Sequence, residues 1–108
     1  MTYRIEKINE LISQQLSMIF LADFPGEIIT INFIHTNPDL SESKIYLSVS
    51  SNHKSIYDEL SARAGEYRKI LAEKLYLRKM PRLQFIRDEM QESVEKIEKI
   101  LDKNERSP

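Results

Sequence analysis

A two-layer α+β domain is the fold class this sequence predicts. Two long stretches repeat apolar residues at helical spacing, and three short ones alternate apolar with polar residues. Their order is helix, strand, strand, helix, strand, with one more helical stretch at the end. Strands followed by helices on one side give a three-stranded sheet with the helices packed on one face. The 108 residues suit one domain over 1–102, with 103–108 as a polar tail.

Residues 3–22 form the first amphipathic helix, with Ile5, Ile8, Ile12, Leu16 (or Gln15), Ile19 and Phe20 on one face. Thr2 can cap its start, and Asp23-Phe24-Pro25-Gly26 ends it, with Gly26 supplying the turn. A strand follows over 27–35, in which Ile29, Ile31 and Phe33 share one face and Thr30 and Asn32 the other. Asn37-Pro38-Asp39 is a turn cluster. The next strand, 43–50, sets Ile45, Leu47 and Val49 against Lys44, Tyr46 and Ser48. The two strands pair antiparallel across a link of about eight residues, longer than a tight hairpin allows.

Helical spacing returns over 54–77, through Ile56, Leu60, Ala64, Tyr67, Leu71 and Leu75, with Ser51 or Asn52 as cap. Gly65 sits in the middle of this span. A mid-helix glycine costs about 1 kcal/mol relative to alanine and calls for a reason, such as a kink or a close backbone approach. Gly65 is therefore expected to divide the span into two helices. Met80-Pro81 stops the helix, because Pro81 lacks a donor and restricts the residue before it. Residues 82–87 alternate again, with Leu83 and Phe85 opposite Arg82, Gln84 and Ile86. A last helix over 89–102, capped by Asp88, carries Val94, Ile97, Ile100 and Leu101.

The net charge of −1 hides an asymmetry. Residues 63–87 carry Arg63, Arg68, Lys69, Lys74, Arg78, Lys79, Arg82 and Arg87 against Glu66 and Glu73, a local charge of +6. Residues 1–62 carry −4 and residues 88–108 carry −3. A focused basic face of this kind suits phosphate, not a general polyanion sponge. The eight basic residues are the candidate set for RNA-backbone contacts. Tyr67 and Tyr76 could stack on bases, but Tyr67 falls at a core spacing; Tyr46 is a weaker exposed candidate. No RNP-like aromatic motif is present, so phosphate and shape recognition outweighs base readout.

Other chemistries find little support. The apolar content of 41% and charged content of 31% fit a globular chain. There is no cysteine, which excludes disulfides and thiol chemistry. Gly26 and Gly65 are the only glycines, so neither a Walker-type loop nor the GxxG loop of a typical KH domain can form. His35 and His53 lack metal-site spacing, and the serines form no nucleophile elbow. Asp58-Glu59 and Glu89 with Glu92 read as solvated helix faces. The expectation is a non-enzyme with no cofactor, metal or small-molecule substrate. Glu6, Asn9 and Glu10 interrupt any early apolar run, which argues against a signal peptide or membrane span and for a cytoplasmic protein.

Taken together, several pieces resemble the ribosome-binding factor A family. They are Arg4-Ile5, Asp39-Leu40, Lys44-Ile45-Tyr46-Leu47-Ser48-Val49, Gly65-Glu66-Tyr67-Arg68-Lys69-Ile70-Leu71, Leu77-Arg78-Lys79-Met80-Pro81, and Leu83-Gln84-Phe85 followed by Asp88. The resemblance implies a type II KH-like fold in which a helix–kink–helix at Ala64 and Gly65 replaces the GxxG loop. The alanine of the family's Ala-x-Gly falls at Arg63 here. The resemblance further implies a monomeric, non-enzymatic assembly factor. It would bind the 30S subunit and 16S ribosomal RNA, support late 30S maturation and rRNA processing, and assist growth in the cold. The rival reading is a KH-like protein–protein adaptor without direct RNA binding, using the acidic terminal helices.

Overall fold

The structure, a computed structural model, describes residues 2–50 and 53–88. Five elements follow in the order α1 (Thr2–Asp23), β1 (Ile29–Thr36), β2 (Glu42–Val49), α2 (His53–Leu75) and β3 (Arg82–Arg87). The helix expected over 89–102 and the tail 103–108 lie outside the described residues.

The strands form one sheet in the order β1-β2-β3. β1 and β2 pair antiparallel, as expected, and β2 and β3 pair parallel, with Ile45 beside Phe85. Parallel neighbours need a crossover, which α2 supplies. Both helices cover one face of the sheet, α1 over β1 and α2 over β3.

The core lies between these layers. α1 contributes Ile8, Ile12, Leu16 and Phe20, and α2 contributes Ile56, Leu60, Tyr67 and Leu71. The sheet contributes Ile34, Ile45, Leu47, Val49, Leu83 and Phe85. Its centre is aromatic: the Phe20 ring lies 6.0 Å from Tyr67 and 6.0 Å from Phe85, and Tyr67 lies 6.2 Å from Phe85. All three contacts are edge-to-face, the arrangement that ring quadrupoles favour.

α1 ends as expected. Phe24-Pro25-Gly26-Glu27 makes a turn closed by the Glu27 amide donating to the Phe24 carbonyl at 3.1 Å, with Gly26 at φ 87°. Proline second and a positive-φ glycine third is the type II pattern.

Three expectations need correction. A bulge between Ile31 and Phe33 inserts Asn32 into β1. Because side chains alternate along a strand, one extra residue flips all that follow. Phe33 therefore leaves the core face, 59% exposed, and Ile34 takes the inward position. On the outer face Phe33 lies opposite Tyr46, with ring centroids 5.8 Å apart.

The second correction concerns Gly65. α2 is one helix of 23 residues, running without interruption through Ala64 and Gly65, where two helices were expected. A Cβ built at Gly65 would meet nothing within 4 Å, so no close backbone approach requires the glycine. The apolar face of α2 holds the helix together across it; burial of a single large side chain is worth about 1.5–3 kcal/mol, more than the glycine costs.

The third is the β1–β2 link, which spans only residues 37–41. The Asn37 amide donates to the Glu42 carbonyl at 2.9 Å and the Leu40 amide to the Asn37 carbonyl at 2.8 Å. The Ser41 hydroxyl and amide both donate to the Asp39 carboxylate, at 2.7 and 3.1 Å. That hydroxyl, then the amide, hold the Asp39 carboxyl below its ordinary value.

Candidate nucleic-acid interface

The eight basic residues separate into two kinds. Arg63 and Arg68 are engaged inside the fold. The Arg63 guanidinium reaches the Asp23 carboxylate at 3.2 Å and the Glu59 carboxylate at 2.6 Å, and it sits 5.4 Å from the Phe24 ring centre. It ties the C-terminal end of α1 to α2. Arg68 donates from Nη2 to the Met80 carbonyl at 2.7 Å, and from Nε to the Met80 and Pro81 carbonyls at 3.1 and 3.3 Å. α2 ends at Leu75, and the exit loop that follows it presents these carbonyls to Arg68.

Lys79 is intermediate: its ammonium donates to the Asp39 carbonyl at 3.0 Å, clipping the loop before β3 to the β1–β2 link. The Arg82 amide adds a bond to the Ser41 carbonyl at 3.1 Å. Arg87 is exposed at the end of β3.

The side chains of Lys69, Lys74, Arg78 and Arg82 are exposed and make no ion pair or hydrogen bond with another described residue. Lys74 lies in the last turn of α2, where a cation also meets the negative end of the helix dipole. Arg78 follows in the exit loop, and Arg82 opens β3. These four charges lie along the second half of α2 and its exit, with no acidic partner to neutralise them among the described residues. Of the four, Lys69 borders an open depression of about 400 Å³, lined also by Gly65, Arg68, Ala72 and Met80. Two small residues and a thioether make its wall, with cations beside them. Such a surface can hold phosphate oxygens on its charges and an apolar group in its floor.

Tyr76 is the feature that spacing alone undervalued. It is the first residue beyond α2, 92% exposed, at φ +51°. The left-handed conformation costs a non-glycine residue about 1–2 kcal/mol. Tyr67, by contrast, is core: 1% exposed, with its hydroxyl donating to the Asp23 carboxylate at 2.8 Å. Burial, then the bond to Asp23, push its phenol up to about 12. Tyr46 is half-buried against Phe33. Among the described residues no three His, Asp or Glu side chains are grouped to hold a metal, and no helix is long and apolar enough to cross a membrane.

The α-β-β-α-β order, with both helices on one face of a mixed three-stranded sheet and no GxxG loop, defines a KH-like domain. Residues 4–101 match the family model described as Ribosome-binding factor A, and the chain belongs to that family. Ribosome-binding factor A of Chlorobium phaeobacteroides (strain DSM 266) is 34% identical, over 94% of this chain and 93% of the relative. That of Chloroherpeton thalassium is 30% identical, over 95% of this chain and 88% of the relative. The crystal structure of ribosome-binding factor A from Thermus thermophilus superposes with a TM-score of 0.68 at 18% identity, covering 76% of this chain and 92% of that one. A Thermus thermophilus ribosome-binding factor A fitted into a cryo-EM map of its 30S complex gives 0.61 at 17% identity, covering 76% and 88%.

Proposed function

We propose that this chain is a cytoplasmic assembly factor that binds the 30S ribosomal subunit during late maturation and contacts 16S ribosomal RNA through phosphates and shape. Membership of the ribosome-binding factor A family supports the reading, as does the Thermus thermophilus relative fitted into a 30S complex. The observation in this chain that carries it is the exposed set Lys69, Lys74, Arg78 and Arg82, which follow one another along the second half of α2, its exit loop and the start of β3 without intramolecular side-chain partners among the described residues. Lys79 adjoins Arg78 in the exit loop, whereas Arg87 closes β3 at the far end of the strand from Arg82. Arg63 and Arg68 serve it by fixing the helix and loop that present it.

Co-sedimentation with purified small subunits at low and moderate salt, beside an Arg78→Glu/Lys79→Glu variant, tests this. Salt-sensitive binding that the variant loses is expected, because counterion release makes phosphate contacts steeply salt-dependent. The adaptor reading has one observation in its favour. Met18 and Leu21, three apart on α1, are 62% and 75% exposed. Binding that ignores salt and survives charge reversal but fails in a Met18→Glu/Leu21→Glu variant would select that reading instead.

A further inference from the structure

Among the described residues, two non-glycine residues adopt positive φ, Leu40 at 60° and Tyr76 at 51°. Their surroundings differ. Leu40 is half-buried, packs against the core and closes its link with a 2.8 Å bond from its amide to Asn37. Its strain is compensated by the fold. Tyr76 is 92% exposed and makes no side-chain hydrogen bond or ring contact with another described residue. Glycine is the residue that ordinarily follows a helix in this conformation. A bulky ring there contributes nothing visible to folding and adds strain. Strain kept at an exposed position points to a role outside the folded chain.

The flanking chemistry indicates which. Lys74 lies two residues before Tyr76 and Arg78 two residues after it, both exposed and unpaired among the described residues. A flat aromatic surface between two free cations matches a nucleotide: base on ring, phosphates on charges. We propose that Tyr76 is a stacking platform for an unpaired nucleobase, with Lys74 and Arg78 holding the adjoining phosphates. This rests on the RNA-binding reading above and adds to it a single-stranded element in the RNA contacted. The ring is 92% exposed, so a base can reach its face without displacing any packed group.

The test uses the full chain and purified small subunits. Tyr76→Gly should melt no lower than wild type, since glycine accepts this φ, yet bind subunits roughly five- to a hundredfold more weakly. Tyr76→Phe should bind within about twofold of wild type, because the ring face is kept. The Tyr76→Gly deficit should hold from low to moderate salt, whereas the deficit of Arg78→Glu should shrink. The chain has no cysteine, so Tyr76→Cys can carry a single benzophenone, and irradiation should attach it to ribosomal RNA. Undiminished binding by Tyr76→Gly, or attachment only to a ribosomal protein, overturns the stacking role and leaves the ribosome reading intact. Failure of the wild-type protein to bind subunits overturns both.

Discussion

The Tyr67 hydroxyl donates to the Asp23 carboxylate across 2.8 Å, joining the middle of α2 to the last residue of α1. The ring is at the centre of the core while the hydroxyl reaches its rim, where Arg63 meets the same Asp23 oxygen at 3.2 Å. Apolar packing and a charge-assisted bond thus act on one side chain, and this junction sets how the two helices lie against each other.

Alkaline titration should expose that junction. The Tyr67 phenol is pushed from 10.0 to about 12, so in that window the folded protein retains a proton that the unfolded chain has lost. Stability is therefore fully present below pH 10 and declines as pH rises toward 12. The rise corresponds to at most roughly 2–3 kcal/mol. Tyr67→Phe should remove this part of the decline and cost about 1 kcal/mol at neutral pH. Urea unfolding of both proteins from pH 8 to 12 measures the difference.

Arg63 should behave as a stabilising residue rather than a phosphate contact. Arg63 and its two carboxylate partners are partly exposed, so Arg63→Gln should destabilise the fold only modestly. Thermal unfolding should show the loss, and the salt slope of subunit binding should be unchanged. A shallower slope would return Arg63 to the RNA-contacting set.

Gly65→Ala should stabilise the protein. The position is helical, has no positive φ, and offers open space to a Cβ. Gaining an alanine in mid-helix is worth about 1 kcal/mol. A calorimetric midpoint several degrees higher is the expected readout. A lower one would show that a bend at this point is needed after all.

A buried polar chain gives a fourth prediction. Thr36 donates to Asn9 Oδ1 at 2.5 Å, and Asn9 Nδ2 donates to the Ile34 carbonyl at 3.2 Å. With the Thr36 proton so committed, the Ser43 hydroxyl is the donor in its 2.7 Å contact with Thr36. Thr36 is 3% exposed and Ser43 0%. Thr36→Val, close in shape, should cost about 1–3 kcal/mol by stranding the Ser43 hydroxyl and an Asn9 acceptor. Pairing it with Ser43→Ala should recover part of that loss in a double-mutant cycle.

Periodicity made α1, the paired strands, α2 and β3 legible, along with nearly all the core residues they bury. Local chemistry did the same for the Pro25-Gly26 turn. What escaped depends on partners distant in sequence. The Asn32 bulge is a property of the pairing: Asn32 donates to the Ser48 hydroxyl at 2.8 Å and to Asp88 at 3.0 Å, and neither bond is visible from β1 alone. The uninterrupted α2 reflects tertiary packing overriding one residue's propensity. The site was legible as a charge count, but a count cannot distinguish a guanidinium held by Met80 and Pro81 from one facing water. Nor can it reveal a backbone angle, and the φ of Tyr76 is what separates it from the other tyrosines.

The parallel pairing of β2 with β3 also bears on how the chain is made. Synthesis runs from the N-terminus, so α1 and the β1–β2 pair are complete while β3 is still to come. Until residues 82–87 arrive, one edge of β2 lacks its neighbour and the cover over Ile45 and Leu47 lacks Leu83 and Phe85. An unpaired edge beside apolar side chains invites association with other chains. Closing it requires α2 to swing the chain back across the sheet, the slow kind of long-range contact. The bonds from Arg68 to Met80 and Pro81, from Lys79 to Asp39 and from Arg82 to Ser41 all lie where the returning strand begins. In the folded chain they hold the first residue of β3 against the β1–β2 link, at the point where this late-made strand joins its older neighbour.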